Sequence, residues 1–144
     1  MLDDNYFMKL ALQEAHKAFK RGEVPVGAII VANQRIIARA HNLTEVLNDV
    51  TAHAEMQAIT AAADVLGGKY LHECTLYVTV EPCPMCAGAL RWAQLMRLVY
   101  GASDPKRGYS TISPFLLHPK TEVTSGIMSD DCSDLMQLFF KELR

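Results

Sequence analysis

The chain has 144 residues, of which 50% are hydrophobic and 21% charged, and its 14 basic and 16 acidic side chains give a formal net charge of -2. This length fits one globular domain, residues 1–144, and the hydrophobic fraction excludes a disordered protein. No apolar run is long enough to span a bilayer, and the first residues lack a secretory signal pattern, so we expect a cytoplasmic protein without membrane segments. The charges are spread evenly, so any polyanionic partner must bind a local basic patch.

Patterns typical of helices and strands alternate along the chain. Apolar side chains recur at helical spacing from Met8 to Phe19, and β-branched residues mark several short strands. The predicted elements are a helix over 5–21, strands over 26–32 and 35–40 joined as a hairpin at Asn33-Gln34, a helix over 51–65, a strand over 75–80, a helix from Pro82 or Pro84 to Trp92, a strand over 97–101 and a closing helix around 132–139.

Residues 102–128 carry little periodic signal and several prolines, so we predict a surface loop with one short element near 122–124. The alternation of helices and strands indicates an α/β layered fold. Its sheet is expected to be partly parallel and covered on both faces.

Four cysteines occupy positions 74, 83, 86 and 132. In a reducing compartment, the Cys83-Pro-Met-Cys86 pair is typical of a metal site or a redox pair rather than a structural disulfide. Cys74 opens a strand and Cys132 falls on the apolar stripe of a helix, so both are interpreted as buried core thiols.

His53 and Glu55 begin one predicted helix, while Cys83 and Cys86 lie at the start of another. One imidazole and two thiolates suit zinc, and three protein ligands leave its fourth position for a water molecule. On a regular helix, residues two apart point about 200° apart. We therefore expect two helix N-termini to face one pocket, with His53 as a ligand and Glu55 beside the metal. Glu55 can then take the water's proton and pass it to a leaving group, as in metal-assisted hydrolysis.

Other interpretations of these residues stay open. A structural zinc site would need a fourth ligand, for which His41, His72 and Cys74 are candidates. A redox role for the cysteine pair does not explain the His-x-Glu pattern. The combination of H-x-E with P-C-x-x-C is the signature of zinc nucleobase deaminases.

Several stretches match one protein family over almost the whole chain. They are Pro25-Val-Gly-Ala28, Asn42, Thr51-Ala-His-Ala-Glu55, the run from Thr75 to Ala89 around Glu-Pro-Cys-Pro-Met-Cys, and Val99-Tyr-Gly-Ala-Ser-Asp-Pro-Lys106. In them the chain resembles the bacterial tRNA-specific adenosine deaminases of the cytidine deaminase-like superfamily. The resemblance implies a three-layer α/β/α fold with a central five-stranded mixed sheet, a homodimer, and conversion of adenosine to inosine at the wobble position of a tRNA anticodon stem loop.

The resemblance also implies a role for individual residues. His53, Cys83 and Cys86 would hold one Zn²⁺ per subunit, and Glu55 would carry protons during attack on C6 of adenine. The expected substrate contacts are Asn42, the backbone of Ala54, a pocket wall of Val26, Gly27 and Ala28, and a loop with Asp104 and Lys106 near the stem loop. Without the resemblance, Asn42, Asp104 and Lys106 are interpreted as turn residues.

Two departures from the family bear on the substrate. The chain has Asp49-Val50 where the family usually has Asp-Pro, and Arg107-Gly-Tyr-Ser-Thr-Ile112 where a glycine-rich stretch is expected. Together with the net charge of -2, they leave open a zinc deaminase of a free base or nucleoside, of guanine or cytosine type. A zinc-stabilised binding module without catalysis is a third alternative.

Some residues have two interpretations. Tyr109 either stacks a base or anchors the 107–120 loop, and the helix over 84–93, with Leu90, Trp92 and Met96 nearby, is either a partner surface or an ordinary core helix. A candidate RNA-binding surface consists of Arg91, Arg97, Lys106, Arg107 and Lys120.

Overall fold

Helices and strands alternate along residues 1–143, which the computed structural model describes; Arg144, the last residue of the predicted domain, lies outside the described residues. The elements are α1 (Asp4–Lys20), β1 (Gly27–Ala32), β2 (Arg35–His41), α2 (Ala54–Leu66), β3 (Cys74–Val80), α3 (Pro84–Ala93), β4 (Arg97–Ala102), a 3-10 turn (Tyr109–Thr111), β5 (Glu122–Ser125) and α4 (Ser129–Glu142). The helices and strands predicted from the sequence are all present, and the short element in the long loop is the strand β5.

The strands form one mixed sheet in the order β2-β1-β3-β4-β5. β1 pairs antiparallel with β2 and β3, whereas β4 lies parallel to both β3 and β5. The predicted hairpin is confirmed: Asn33 and Gln34 join β1 to β2, and both have positive φ, 51° and 64°. A two-residue turn with positive φ at both positions matches the twist of paired strands.

Helices cover both faces of the sheet. On one face, α1 and α4 pack on side chains such as Ile29, Tyr77 and Val99. On the other, α2 and α3 pack on alternate residues of the same strands, such as Ile30 and Leu76. Successive strand residues point to opposite faces of the sheet. Because helices cover both faces, β3 is buried along its whole length. The three-layer α/β/α prediction is confirmed.

The start of α2 corrects a predicted boundary. The helix begins at Ala54 rather than at Thr51, and His53 is its N-cap. The backbone N–H and the hydroxyl of Thr51 both donate to the Asp49 carboxylate at 2.8 Å. This local turn competes with helix formation, and the helix starts only after His53, whose own backbone dihedral angles are extended.

Each helix of the described part of the chain is too short, or too polar, to cross a membrane.

An ion pair ties α1 to the sheet. Arg97, the first residue of β4, donates from its two terminal nitrogens to the two carboxylate oxygens of Asp4 at 2.8 and 2.7 Å. Tyr77 donates its hydroxyl to the same carboxylate at 2.7 Å. Arg97 is therefore engaged at the beginning of a parallel strand, and the prediction that it joins an RNA-binding surface is wrong.

The hydrogen bond from Arg97 lowers the pKa of Asp4 from its ordinary value of 3.8. A carboxylate with a lowered folded-state pKa stabilises the fold above its unfolded pKa, and this contribution disappears as the pH falls through the folded value. We expect Asp4→Asn to lower the free energy of unfolding by about 1–2 kcal/mol at pH 7. Urea denaturation at pH 7 and pH 3 checks this, because the difference from wild type should be smaller at the lower pH.

Asp130→Asn is a matched control. Asp130 is an exposed carboxylate in the first turn of α4. Its substitution, like that of Asp4, removes a charge near a helix N-terminus, but it leaves the Asp4–Arg97 ion pair intact. Equal losses for the two variants at pH 7 would contradict the role of the Asp4–Arg97 pair.

Candidate metal centre and cleft

Two helix N-termini meet at one end of the sheet. His53 is the N-cap of α2 and Cys83 is the N-cap of α3, each with extended backbone dihedral angles. Pro84 occupies the start of α3, where a missing N–H costs no hydrogen bond, and Cys86 lies one turn from Cys83. The structure thus has the end-on arrangement that the His-x-Glu spacing predicts, and the positive ends of both helices favour thiolates here.

The three predicted ligands lie together. The Cys83 and Cys86 sulfurs are 3.6 and 3.5 Å from Nδ1 of His53, and all three ligand atoms fall within 4.8 Å of one another. Zinc–sulfur bonds of about 2.3 Å and zinc–nitrogen bonds of about 2.0 Å at a tetrahedral angle would separate sulfur from nitrogen by about 3.5 Å. The spacing and the donor atoms fit a zinc ion.

The candidate fourth ligands are engaged elsewhere. Nδ1 of His41 lies 3.0 Å from a Glu14 oxygen, and Nε2 of His72 lies 2.7 Å from the Gln94 side-chain oxygen. Cys74 is buried in β3. Within residues 1–143 the cluster contains only His53, Cys83 and Cys86, so a four-ligand structural site built from these candidates is not what the structure shows.

The thiols of the centre share a proton. A hydrogen bond from Cys86 lowers the pKa of Cys83 to about 4, and the same bond raises the pKa of Cys86. The hydrogen bond to Cys83 raises the pKa of His53. Metal ligands must be deprotonated, and a divalent cation would replace the shared proton as the positive partner of the sulfurs.

Glu55 lies beside the cluster rather than in it. It is in the first turn of α2, 4% exposed, and borders the same cleft as His53 and Cys83. Burial raises the pKa of Glu55 to about 7. A carboxyl group with this pKa can both accept and donate a proton near neutral pH, as general acid–base chemistry requires.

A cleft of about 990 Å³ opens above these residues. This is the upper end of the usual range for small-molecule sites, about 300–1,000 Å³. Its wall includes one face of α4, formed by Ser133, Met136, Gln137, Phe140 and Lys141. This face of α4 was not predicted from the sequence, because the apolar stripe of the helix indicates which side is buried but not what the neighbouring residues border.

The predicted substrate contacts fall into two groups. Those that line the cleft are Val26, Asn42, Ala54, Asp104 and Lys106. Gly27 and Ala28 do not. A Cβ atom on Gly27 would overlap the backbone of α1 at Ala11, and Ala28 is fully buried in the core. Both residues are packed inside the sheet, so of the three residues expected in the wall only Val26 lines the cleft.

Asn42 and Asp104 occupy the cleft and also stabilise turns. Asn42 is 7% exposed; its amide donates to the Val24 carbonyl and its oxygen accepts from the N–H of Thr44, both at 3.3 Å. The Asp104 carboxylate accepts from the N–H groups of Lys106 and Arg107 at 3.2 and 3.0 Å. The cleft and turn interpretations are compatible, because each side chain stabilises a loop that borders the cleft.

Two buried glutamates that accept hydrogen bonds from loops beside the cleft were not predicted. Glu23 is 0% exposed and accepts from the N–H groups of Glu45 and Val46 at 3.0 and 2.8 Å. Glu81 is 5% exposed, follows β3 and contacts the loop after β4 through Asp104. The one available signal was a glutamate one or two residues before a proline in an apolar context, Glu23-Val-Pro25 and Glu81-Pro82.

The loop 107–120 is held by packing and hydrogen bonds. Tyr109 is 5% exposed and its N–H donates to the Pro82 carbonyl at 2.8 Å, so it is a packed anchor and not a base-stacking platform. Arg91 donates to the carbonyl oxygens of Phe115 and Leu117 at 3.1 and 3.0 Å. The predicted five-residue basic surface is therefore wrong as a unit.

Basic side chains border the cleft together with the carboxylates of Glu55, Glu81 and Asp104. Lys106 and Arg107 border it on one side and Lys141 on another. Of the predicted basic residues only Lys106 and Arg107 are in its wall.

A fold of this kind with a His/Cys/Cys centre and an adjacent buried glutamate defines a hydrolytic deaminase. The family model described as MafB19-like deaminase matches residues 2–144. A tRNA-specific adenosine deaminase of Bacillus subtilis (strain 168) is 47% identical over 149 residues, which cover 100% of this chain and 92% of that protein. The chain therefore belongs to the tRNA-specific adenosine deaminases.

Solved structures agree with this assignment. A structure described in a study of A-to-I editing by tRNA deaminases at the wobble position shares 45% identity and a TM-score of 0.84, covering 90% of this chain and 98% of that one. A guanine deaminase from Bacillus subtilis shares 38% identity and a TM-score of 0.69, covering 79% of this chain and 71% of that one. The whole-chain likeness favours the tRNA enzymes over the guanine enzyme.

Proposed function

We propose that residues 1–144 form a single zinc-dependent domain that converts adenosine to inosine at the wobble position of a tRNA anticodon. One observation carries the chemistry: a buried carboxylate, Glu55, stands beside a cluster of three metal-ligand atoms without belonging to it. The whole-length likeness to tRNA-specific adenosine deaminases supports the substrate. Such a substrate implies action in the cytoplasm.

His53, Cys83 and Cys86 would hold one zinc ion per subunit. Bound zinc supplies Lewis acidity that activates a water molecule for attack on C6 of adenine. The two cysteine sulfurs and the His53 nitrogen have the separation that a tetrahedral ion requires. Two thiolates also balance the charge of one dication, so the centre adds no net charge to the chain.

Glu55 would move the protons of the reaction. Its carboxylate accepts a proton from the attacking water, delivers it to the adenine ring and then assists the departure of ammonia from C6. Burial at 4% exposure keeps bulk water from competing for this proton, and the pKa of about 7 allows transfer in both directions.

The remaining cleft residues would position the nucleotide. Asn42, the backbone of Ala54 and the side chain of Val26 border the base site. Lys106, Arg107 and Lys141 border the same cleft and supply the local positive charge that phosphates need. Because these three cations border the cleft directly, a net charge of -2 is compatible with an RNA substrate.

Substitution of single ligands tests the zinc site. We expect His53→Ala and Cys83→Ala to lose the ion, since two remaining ligands hold zinc weakly, with affinity reduced by at least about a hundredfold. Metal stoichiometry after gel filtration, measured by mass spectrometry, should be one zinc per chain in the wild type. His72→Ala and Cys74→Ala are the matched controls and should keep the ion; retention of zinc by His53→Ala would contradict the assignment.

Deamination assays test the substrate and the role of Glu55. The zinc-loaded protein is incubated with an anticodon stem loop carrying a first-position adenosine, and separately with free adenosine, guanine and cytosine. We expect inosine in the RNA and no turnover of the free compounds. Glu55→Ala should keep zinc and lose at least about a thousandfold in rate. Turnover of guanine alone would favour the free-base alternative, and full activity of Glu55→Ala would refute the mechanism.

A homodimer is part of the proposal. Trp92 on α3 is 83% exposed, and Met85 and Met96 are exposed beside the same helix, which supplies an apolar contact surface. We expect light scattering to give twice the chain mass of 16.0 kDa and Trp92→Arg to give a monomer. Leu138→Arg, on α4 at the opposite face of the sheet, should leave the dimer intact; a monomeric wild type would rule the dimer out.

A further inference from the structure

Glu81 is a buried carboxylate for which the reaction has no use. It follows the last residue of β3 and precedes Pro82 and the ligand Cys83. It is 5% exposed, and none of the ion pairs found within residues 1–143 includes it. Burying a charge without a counter-charge is unfavourable unless hydrogen bonds replace the lost water, so its partners explain why it is there.

Those partners lie at both ends of one loop. One carboxylate oxygen of Glu81 accepts from the N–H of Asp104 at 3.1 Å. The other accepts from the N–H of Ser110 at 3.1 Å and from the Ser110 hydroxyl at 2.7 Å. Lys106 and Arg107 lie between these two attachment points and border the cleft.

The loop closes tightly around the carboxylate. A Cβ atom at Gly108 would overlap the Glu81 carboxylate, so only glycine allows the loop to approach this closely. The N–H of Gly108 donates to the Asp104 carbonyl at 2.9 Å. The absent side chain at Gly108 and the three donors at Asp104 and Ser110 are independent features that fit one carboxylate in one position.

We propose that Glu81 is a positioning residue that sets the affinity for the RNA substrate. Its carboxylate holds residues 103–110 in the conformation that places Lys106 and Arg107 at the cleft, where they meet the phosphates flanking the target nucleotide. This inference rests on the proposed function. Glu81 does not touch the reacting atoms, so it acts on substrate binding and not on the chemical step.

A carboxylate is required rather than an amide. The two oxygens of Glu81 face the N–H groups of Asp104 and Ser110. In Glu81→Gln, whichever way the amide is turned, its NH₂ group meets one of these N–H groups and leaves it unpaired. The loop should then detach at one end.

The experiment compares Glu81→Gln, Ser110→Ala and Gly108→Ala with the wild type on the anticodon stem loop. We expect Glu81→Gln and Gly108→Ala to raise KM by about tenfold or more, the effect of losing one hydrogen bond to a charged group, and to leave kcat and zinc content unchanged. Ser110→Ala, which loses only the hydroxyl donor, should give a smaller rise. Glu73 is an exposed carboxylate just before β3, at the opposite end of the strand from Glu81. Glu73→Gln should change neither KM nor kcat.

Hydrogen–deuterium exchange measures the protection of the loop amides directly. The peptide that contains residues 103–111 should exchange at least about tenfold faster in Glu81→Gln, because the Asp104 and Ser110 amides lose their acceptor. Unchanged exchange and unchanged KM would overturn the proposal. Loss of zinc, or a fall in kcat at constant KM, would also overturn it, since either would show that Glu81 acts through Cys83.

The two levels of the proposal remain distinguishable. If the wild type fails to deaminate the stem loop while zinc is bound, the proposed function is wrong. If the wild type is active and the variants match it in KM, the proposed function stands and the role of Glu81 is wrong.

Discussion

The site depends on two helices that begin at the same place. β3 is the central strand of the sheet. At its end the chain turns directly into α3, whose N-cap is Cys83. The turn-rich loop after β2 delivers His53 as the N-cap of α2 opposite it. N-cap side chains lie at the positive ends of their helices, so the sulfurs and the imidazole are gathered where thiolates are favoured. Glu55, inside the first turn of α2, is buried beside the cluster without belonging to it.

The cleft walls are loops, and buried carboxylates hold them. Glu23 accepts backbone N–H groups of the loop after β2, and Glu81 accepts those of the loop after β4. A carboxylate offers two oxygens as acceptors to donors that no strand or helix satisfies. Loops of this kind supply binding residues while the helices and the sheet hold the reactive ones. In this chain the three clustered ligand residues and Glu55 lie at helix N-termini, whereas much of the cleft wall is formed by loops.

Local charge matters more for this chain than net charge. The formal charge of -2 describes the whole surface, whereas a phosphate near the cleft meets Lys106, Arg107 and Lys141. Arg97 and Arg91 look equally basic in the sequence but are used internally, in the pair with Asp4 and in hydrogen bonds to the 107–120 loop. Salt screens interactions between exposed charges over about 10 Å. The position of a basic side chain relative to the cleft therefore matters more than the net charge of the chain.

The sequence by itself determined the order and type of the elements and the cluster of His53, Cys83 and Cys86 with Glu55 beside it, because spacing along a helix or strand is a local property. The hairpin at Asn33 and Gln34 was equally predictable from its turn chemistry. The tertiary structure decided what depends on contacts between distant segments: Gly27 was assigned to the cleft but packs against α1, Tyr109 is buried, and α4 contributes a cleft wall. The close approach of Gly108 to Glu81 belongs to the same class, because only folding brings the end of β3 against the loop after β4.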